Sequence, residues 1–202
     1  MSSAAADVAV LAFDGPALAD PTRIRAVARR LADLHEGGEA VVAVLPAMGE
    51  ATGELLRLAH AVSPEPLPRE LDLLVTTGAR ISCALTAMAL IDLGRRAVSL
   101  TGSQAGIVTD GEHGAARIVE VRPHRVEREL LTGAIVLVAG HQGVSLAAEV
   151  TSLALDAPGA TAAALAGALG ASRCELVAGE PRAEAIPLAP ADAGALRLQH
   201  AV

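Results

Sequence analysis

The sequence predicts an α/β fold, a three-layer αβα sandwich around a mainly parallel sheet. Short apolar runs alternate with helical stretches along the chain, as expected when helices cover both faces of a parallel sheet. The 202 residues suit a single domain over 1–202. Hydrophobic residues make up 52% of the chain, yet it has one Phe and neither Trp nor Tyr. Small and branched side chains must therefore fill the core, and layered packing suits them.

The strands are predicted from short apolar runs bounded by Gly, Pro or charged residues. The predicted buried strands are Val8–Phe13, Ala40–Leu45, Ala97–Leu100, 134–139 and 174–177, and residues 117–121 predict an edge strand.

The helices are predicted from amphipathic or Ala-rich stretches with start and stop signals. Asp20-Pro21 opens the first and Gly37-Gly38 closes it. The predicted helices span 20–35, 52–62, 69–93 as two pieces around Gly78, 123–131, and Ala160–Leu169.

Charge and composition exclude several classes of protein. The net charge is −7 and no basic stripe occurs, so nucleic acid is not an expected partner. All 16 basic residues are Arg, and the chain has no Lys. No uninterrupted apolar run reaches about 18 residues, and residues 1–7 do not resemble a signal peptide, so we expect a cytoplasmic protein without a membrane span. Cys83 and Cys174 lack metal-ligand spacing, and we expect reduced buried thiols with no metal and no cofactor.

Several segments together resemble the catalytic domain of aspartokinases, members of the amino-acid kinase family. The segment TGSQAGIVTD (101–110) is almost identical to the family's sequence. Further matches are PAMGE (46–50), LLVTTGARIS (73–82), HG (113–114) and GHQGV (140–144). The resemblance covers about residues 7–177. It implies a carbamate kinase-like sandwich with a truncated C-terminal lobe, a shortened and divergent stretch over 178–202, no regulatory ACT domain, and a homodimer.

The segments that the resemblance assigns to ATP differ from the family pattern. The Lys of the family's first motif, K-Y-G-G-[ST]-S, corresponds to Ala12, while Asp14 adds negative charge and Pro16 removes a backbone donor. The catalytic Asp of the second motif, G-R-G-G-S-D-T-T, corresponds to Gly159. Phosphoryl transfer depends on neutralising charge on the transferred group. We therefore expect no phosphotransferase activity.

The amino-acid side of the pocket differs as well. The resemblance implies that a Glu and an Arg hold aspartate, and these positions are Ala79 and Leu155. An amino-acid zwitterion needs charged or strongly polar partners. We expect Ala79 and Leu155 to line a pocket for a small, weakly charged or apolar molecule, or a pocket that has collapsed.

Other polar residues are candidates for the site. Thr101, Ser103 and Gln104 could orient a ligand, although turn and capping chemistry also explains them. His141 replaces a Phe that the resemblance places beside the amino acid, so it is a candidate general acid or base, or an inert loop residue. Asp14 and Asp156 are candidate catalytic carboxylates, or simply solvated loop residues.

Two functions remain open at this level. The first is a repurposed enzyme that performs ATP-independent cyclisation, dehydration or isomerisation on a small metabolite, with His141 and a carboxylate as acid and base. The second is an inactive pseudokinase that acts as a dimeric regulatory or scaffold partner.

Overall fold

The fold is a three-layer α/β sandwich with a six-stranded central sheet, as predicted. The structure is a computed structural model, and it describes residues 7–154 and 159–191. The central strands are β1 (Val8–Phe13), β2 (Ala40–Leu45), β3 (Ala97–Leu100), β6 (Ile135–Ala139), β9 (Arg173–Val177) and β10 (Ile186–Pro187). Their order is β10-β9-β1-β2-β6-β3, and every pair is parallel except β10 with β9.

A second, four-stranded sheet stands beside the first and was not predicted. It contains β4 (Ile107–Thr109), β5 (Ile118–Val121), β7 (Gln142–Ser145) and β8 (Val150–Ser152), in the order β5-β4-β7-β8. The predicted edge position of β5 is confirmed in this sheet. Its other strands are three or four residues long, which is too short for a periodic signal in the sequence.

The helices lie on both faces of the central sheet. They are α1 (Pro21–Glu36), α2 (Ala51–Val62), α3 (Pro68–Asp92), α4 (His124–Leu131) and α5 (Ala160–Leu169). One buried cluster joins β1, β2 and β6 to α1 and α3, and a second joins the opposite side chains of those strands to α4 and α5. Both cysteines are buried and free, and burial raises the pKa of Cys83 to about 12.

The sequence signals for helix ends act as predicted in α1. The Asp20 Oδ1 atom accepts hydrogen bonds from the backbone N–H groups of Thr22 and Arg23, at 2.7 and 3.0 Å. These groups have no partner within the helix, so the cap satisfies them. Pro21 occupies the first turn, where its missing N–H has no cost.

The prediction that residues 69–93 break into two helical pieces at Gly78 is wrong. Helix α3 is continuous over 25 residues, and Gly78 lies within it. A Cβ atom at Gly78 would approach the Ala47 Cβ atom to 2.8 Å. Glycine therefore serves close packing between α3 and the loop after β2, which outweighs its low helix propensity.

Helix α3 is also, among the described residues, the one helix long and apolar enough to cross a membrane by length and composition. However, 44% of its most apolar window is buried inside the fold. It packs against α1, α2, β3 and β8.

We predict that Gly78→Ala destabilises the protein by about 1–3 kcal/mol, because the added methyl group overpacks the contact with Ala47. Urea denaturation measures the free energy of unfolding. Gly53→Ala in α2 is the matched control, since its new Cβ atom would meet only the Glu50 side chain at 4.0 Å. The control should be neutral or stabilising by about 0.5–1 kcal/mol. Equal effects at the two positions would contradict the packing role of Gly78.

Candidate functional site

A cleft of about 210 Å³ opens at the carboxyl ends of β1, β2 and β6. Ligands of open parallel α/β sheets bind at this end of the strands. The residues that line the cleft are mostly small or carry hydroxyl groups: Gly15, Pro16, Pro46, Ala47, Gly49, Thr52, Val75, Thr76, Ala79, Gly140, His141 and Ser152.

Two of the predicted site residues line this cleft. Ala79 is buried on α3, and His141 is half-buried directly after β6. His141 has a positive φ of 54°, so its backbone is left-handed, a conformation that His tolerates better than most residues. Burial lowers the pKa of His141, and a hydrogen bond with the backbone of Ala154 partly opposes this. Burial therefore favours the neutral imidazole.

Both carboxylate oxygens of Asp14 accept hydrogen bonds from the backbone. Its Oδ1 atom accepts a hydrogen bond from the Ala17 N–H at 2.9 Å, and its Oδ2 atom accepts one from the Gly179 N–H at 2.7 Å. The side chain joins the turn after β1 to the turn after β9 and does not line the cleft. A catalytic role for Asp14 stays a prediction, and the contacts indicate a structural one.

Thr101, Ser103 and Gln104 do not line the cleft. The Thr101 N–H donates to the Gln104 Oε1 atom and the Gln104 N–H donates to the Thr101 Oγ1 atom, both at 3.1 Å. Ser103 is exposed. These hydrogen bonds stabilise the turn that follows β3, an edge strand of the central sheet. The predicted residues Leu155 and Asp156 lie outside the described residues.

A buried polar network that the sequence analysis missed reaches one wall of the cleft through Ser152. Asp72 on α3 is 1% exposed. Its Oδ1 atom accepts hydrogen bonds from the Ser152 hydroxyl and, at 3.1 Å, from the Gly114 N–H, and its Oδ2 atom lies 2.6 Å from His113 Nδ1. A buried carboxylate is tolerable only when donors surround it, and here three do so. A single acid within the apolar run Leu71–Val75 was the available signal.

The network determines what Ser152 can offer a ligand. The hydroxyl proton of Ser152 is donated to Asp72, so its oxygen atom keeps lone pairs for the cleft. Ser152 can therefore accept a hydrogen bond from a ligand ammonium group, a task that the apolar Ala79 cannot perform. No cluster of three His, Cys, Asp or Glu residues within 7–154 and 159–191 is placed to hold a metal.

We predict that Asp72→Ala destabilises the protein by about 3 kcal/mol, because the Ser152 hydroxyl and the Gly114 N–H lose their buried acceptor. Chemical denaturation measures the change. Asp72→Asn is the matched control, since its amide oxygen can still accept a hydrogen bond, and it should lose less than Asp72→Ala. An Asp72→Ala variant as stable as the unmodified protein would show that the network does not support the wall of the cleft.

Comparison with known proteins shows which family the chain belongs to. The model of the amino acid kinase family matches residues 7–181. The chain is 50% identical over 165 residues to the aspartokinase of Mycobacterium tuberculosis, covering 81% of this chain and 39% of that protein. It is 45% identical over 169 residues to the aspartokinase of Geobacillus stearothermophilus, covering 84% and 42%. The chain thus spans about two fifths of the length of these relatives.

Solved structures agree with the fold. Aspartate kinase from Synechocystis superposes with a TM-score of 0.71 at 37% identity, covering 84% of this chain and 27% of that one. Carbamate kinase from Giardia superposes with a TM-score of 0.69 at 13% identity, covering 87% and 73%, which supports the fold alone. The predicted resemblance to aspartokinases and the carbamate kinase-like architecture are therefore confirmed.

The same similarities contradict the two functions expected from the sequence. Relatives at 50% identity are aspartokinases, and nothing in the described residues shows lost phosphotransferase activity or a different chemistry. The predictions of ATP-independent cyclisation, dehydration or isomerisation, and of an inactive pseudokinase, are wrong. They rested on several motif positions taken together, among them Ala12 and Gly159. A motif does not show which other side chains the fold brings to the same cleft.

Proposed function

Because the chain belongs to the amino acid kinase family, we propose that it is part of an aspartokinase and transfers a phosphoryl group from ATP to the side-chain carboxylate of aspartate. The observation that carries the proposal is the 50% identity over 165 residues to an aspartokinase. We place this activity in the cytoplasm.

The proposed reaction needs an amino acid and a nucleotide at one site. A carboxylate oxygen of aspartate attacks the γ-phosphorus of ATP, the bond from that phosphorus to the bridging oxygen breaks, and ADP and aspartyl phosphate form. Escherichia coli aspartokinase III, which shares the fold at 19% identity and a TM-score of 0.74, was solved with aspartate and ADP. The same pair of ligands is proposed for this chain.

The cleft supports the amino-acid part of the proposal by its size and its polar groups. Thr52, Thr76 and Ser152, which carry hydroxyl groups, are among its lining residues, and a volume of about 210 Å³ suits a small metabolite. The oxygen of Ser152 can accept from the ammonium group of aspartate. Ala79 and the backbone around Gly140 shape the rest of the wall.

We predict that Val75→Phe weakens aspartate binding at least tenfold, because Val75 is a half-buried lining residue and the larger ring fills the cleft. Calorimetry measures the affinity, and trapping of the acyl phosphate with hydroxylamine measures turnover with ATP. Val62→Phe is the matched control, since Val62 is 82% exposed on α2 and does not line the cleft. An unmodified protein that neither binds aspartate nor forms aspartyl phosphate would refute the proposed function.

The homodimer expected from the sequence stays a proposal. Four large apolar side chains, Ile81, Leu85, Met88 and Ile91, are exposed on α3 with the spacing of one helix face. A second copy of the chain would remove them from water.

We predict that Met88→Glu shifts the protein toward the monomer, because it places a charge in that apolar face. Sedimentation velocity over a range of concentrations measures the shift. Leu131→Glu is the control, since Leu131 is 89% exposed on α4 and lies outside this face. A monomeric unmodified protein would refute the proposed dimer.

A further inference from the structure

His141 is the one ionisable side chain that lines the cleft among the described residues. The chain has no Lys, and no Arg, Asp or Glu is among the lining residues. The proposed reaction brings a carboxylate and phosphate oxygens together in this space. Anionic groups that leave water need an opposite charge or strong donors.

His141 also borders a second, small cavity of about 10 Å³, which shares Pro46 and Gly140 with the lining of the cleft. Ala12, Phe13, Val44, Pro46, Gly140, Gly159 and Thr161 line this cavity together with His141. It therefore contains the two positions, Ala12 and Gly159, at which the resemblance places the motif Lys and the motif Asp. His141 therefore lines both the cleft and the small cavity that contains these two motif positions.

We propose that His141, protonated when a ligand binds, is the cation that holds an oxyanion in this cleft, either a carboxylate of the amino acid or phosphate oxygens of the donor. This role rests on the proposed function and names the residue that supplies the positive charge. It makes His141 a binding residue, and it needs no group other than those on this chain.

No other charged side chain among the described residues lines the cleft, so the protonation state of His141 can change when a ligand binds. On α3, Thr76 accepts a hydrogen bond from Arg80 at 3.4 Å, and on β8, Ser152 donates to Asp72, but neither Arg80 nor Asp72 lines the cleft. Beside Gly15, Asp14 is held by two backbone N–H groups. The lining residues from β1, β2, α2 and α5 carry no ionisable group.

Binding of an anion should therefore be coupled to uptake of a proton. Burial lowers the pKa of His141, so the neutral form prevails near pH 7. A nearby anion favours the charged form and raises the pKa again. Between the pKa of His141 in the ligand-free protein and its higher pKa in the complex, affinity for the anion should increase about tenfold for each unit that the pH falls. The affinity should level off once His141 is protonated in the ligand-free protein as well.

The test measures binding of L-aspartate and of sulfate, an oxyanion whose charge is constant between pH 6 and pH 8. Calorimetry in two buffers of different ionisation enthalpy counts the protons taken up. His141→Asn removes the charge and keeps a residue that tolerates positive φ. His124→Asn is the matched control, because the His124 side chain is 88% exposed on α4. An NMR titration of the His141 ring in the unmodified protein gives the same information should the variant fail to fold.

The outcomes separate the inference from the proposed function. Proton uptake with both ligands, lost in His141→Asn and kept in His124→Asn, supports the inference. Aspartate binding without proton uptake, unchanged in His141→Asn, overturns the inference and leaves the proposed function intact. Sulfate binding linked to His141 without any aspartate binding supports the inference and overturns the proposed function. If neither ligand binds at millimolar concentration, both are refuted.

Discussion

The buried carboxylate of Asp72 holds together three segments that are distant in sequence. It links α3 to β8 through Ser152 and to the loop after β4 through His113 and Gly114. A carboxylate that is 1% exposed would be strongly unfavourable without these donors, so the native arrangement requires all three segments to meet. The wall of the cleft is a consequence of that requirement, and the position of the Ser152 oxygen follows from it.

The cleft combines small side chains with few charges. Glycine and alanine bring backbone segments close together, as the contact between Gly78 and Ala47 shows. Such a surface can enclose a small ligand, but it does little to offset negative charge. A half-buried imidazole in such a cleft strongly affects the binding of a negatively charged ligand, because electrostatic interactions strengthen as water is excluded.

The motif positions predicted a protein without phosphotransferase activity, whereas relatives at 50% identity are aspartokinases, and this difference has a physical reason. The substitution of a motif Lys by Ala12 removes one positive charge from one place in the chain. Phosphoryl transfer requires charge balance at a point in space, and several segments contribute to that point. The identity of 50% to an aspartokinase extends over 165 residues, whereas each motif samples a few.

The sequence by itself determined the layered α/β class, the central strands β1, β2, β3, β6 and β9, the first helix with its Asp20 cap, and the resemblance to aspartokinases. These features depend on local patterns of apolar residues and on contiguous motifs, both of which can be seen along the chain. It also identified Ala79 and His141 as residues of the cleft, through the motifs around them.

Only the tertiary structure decided the rest. In the second sheet, β4 pairs with β7, which lies far from it in sequence, and Gly78 within the continuous helix α3 packs closely against the distant Ala47. The partners of Asp72 and the occupied oxygens of Asp14 are set by which side-chain and backbone donors lie beside these carboxylates after folding. A residue type at a position predicts which chemistry is available, but the neighbours that the fold supplies decide whether that chemistry faces a ligand.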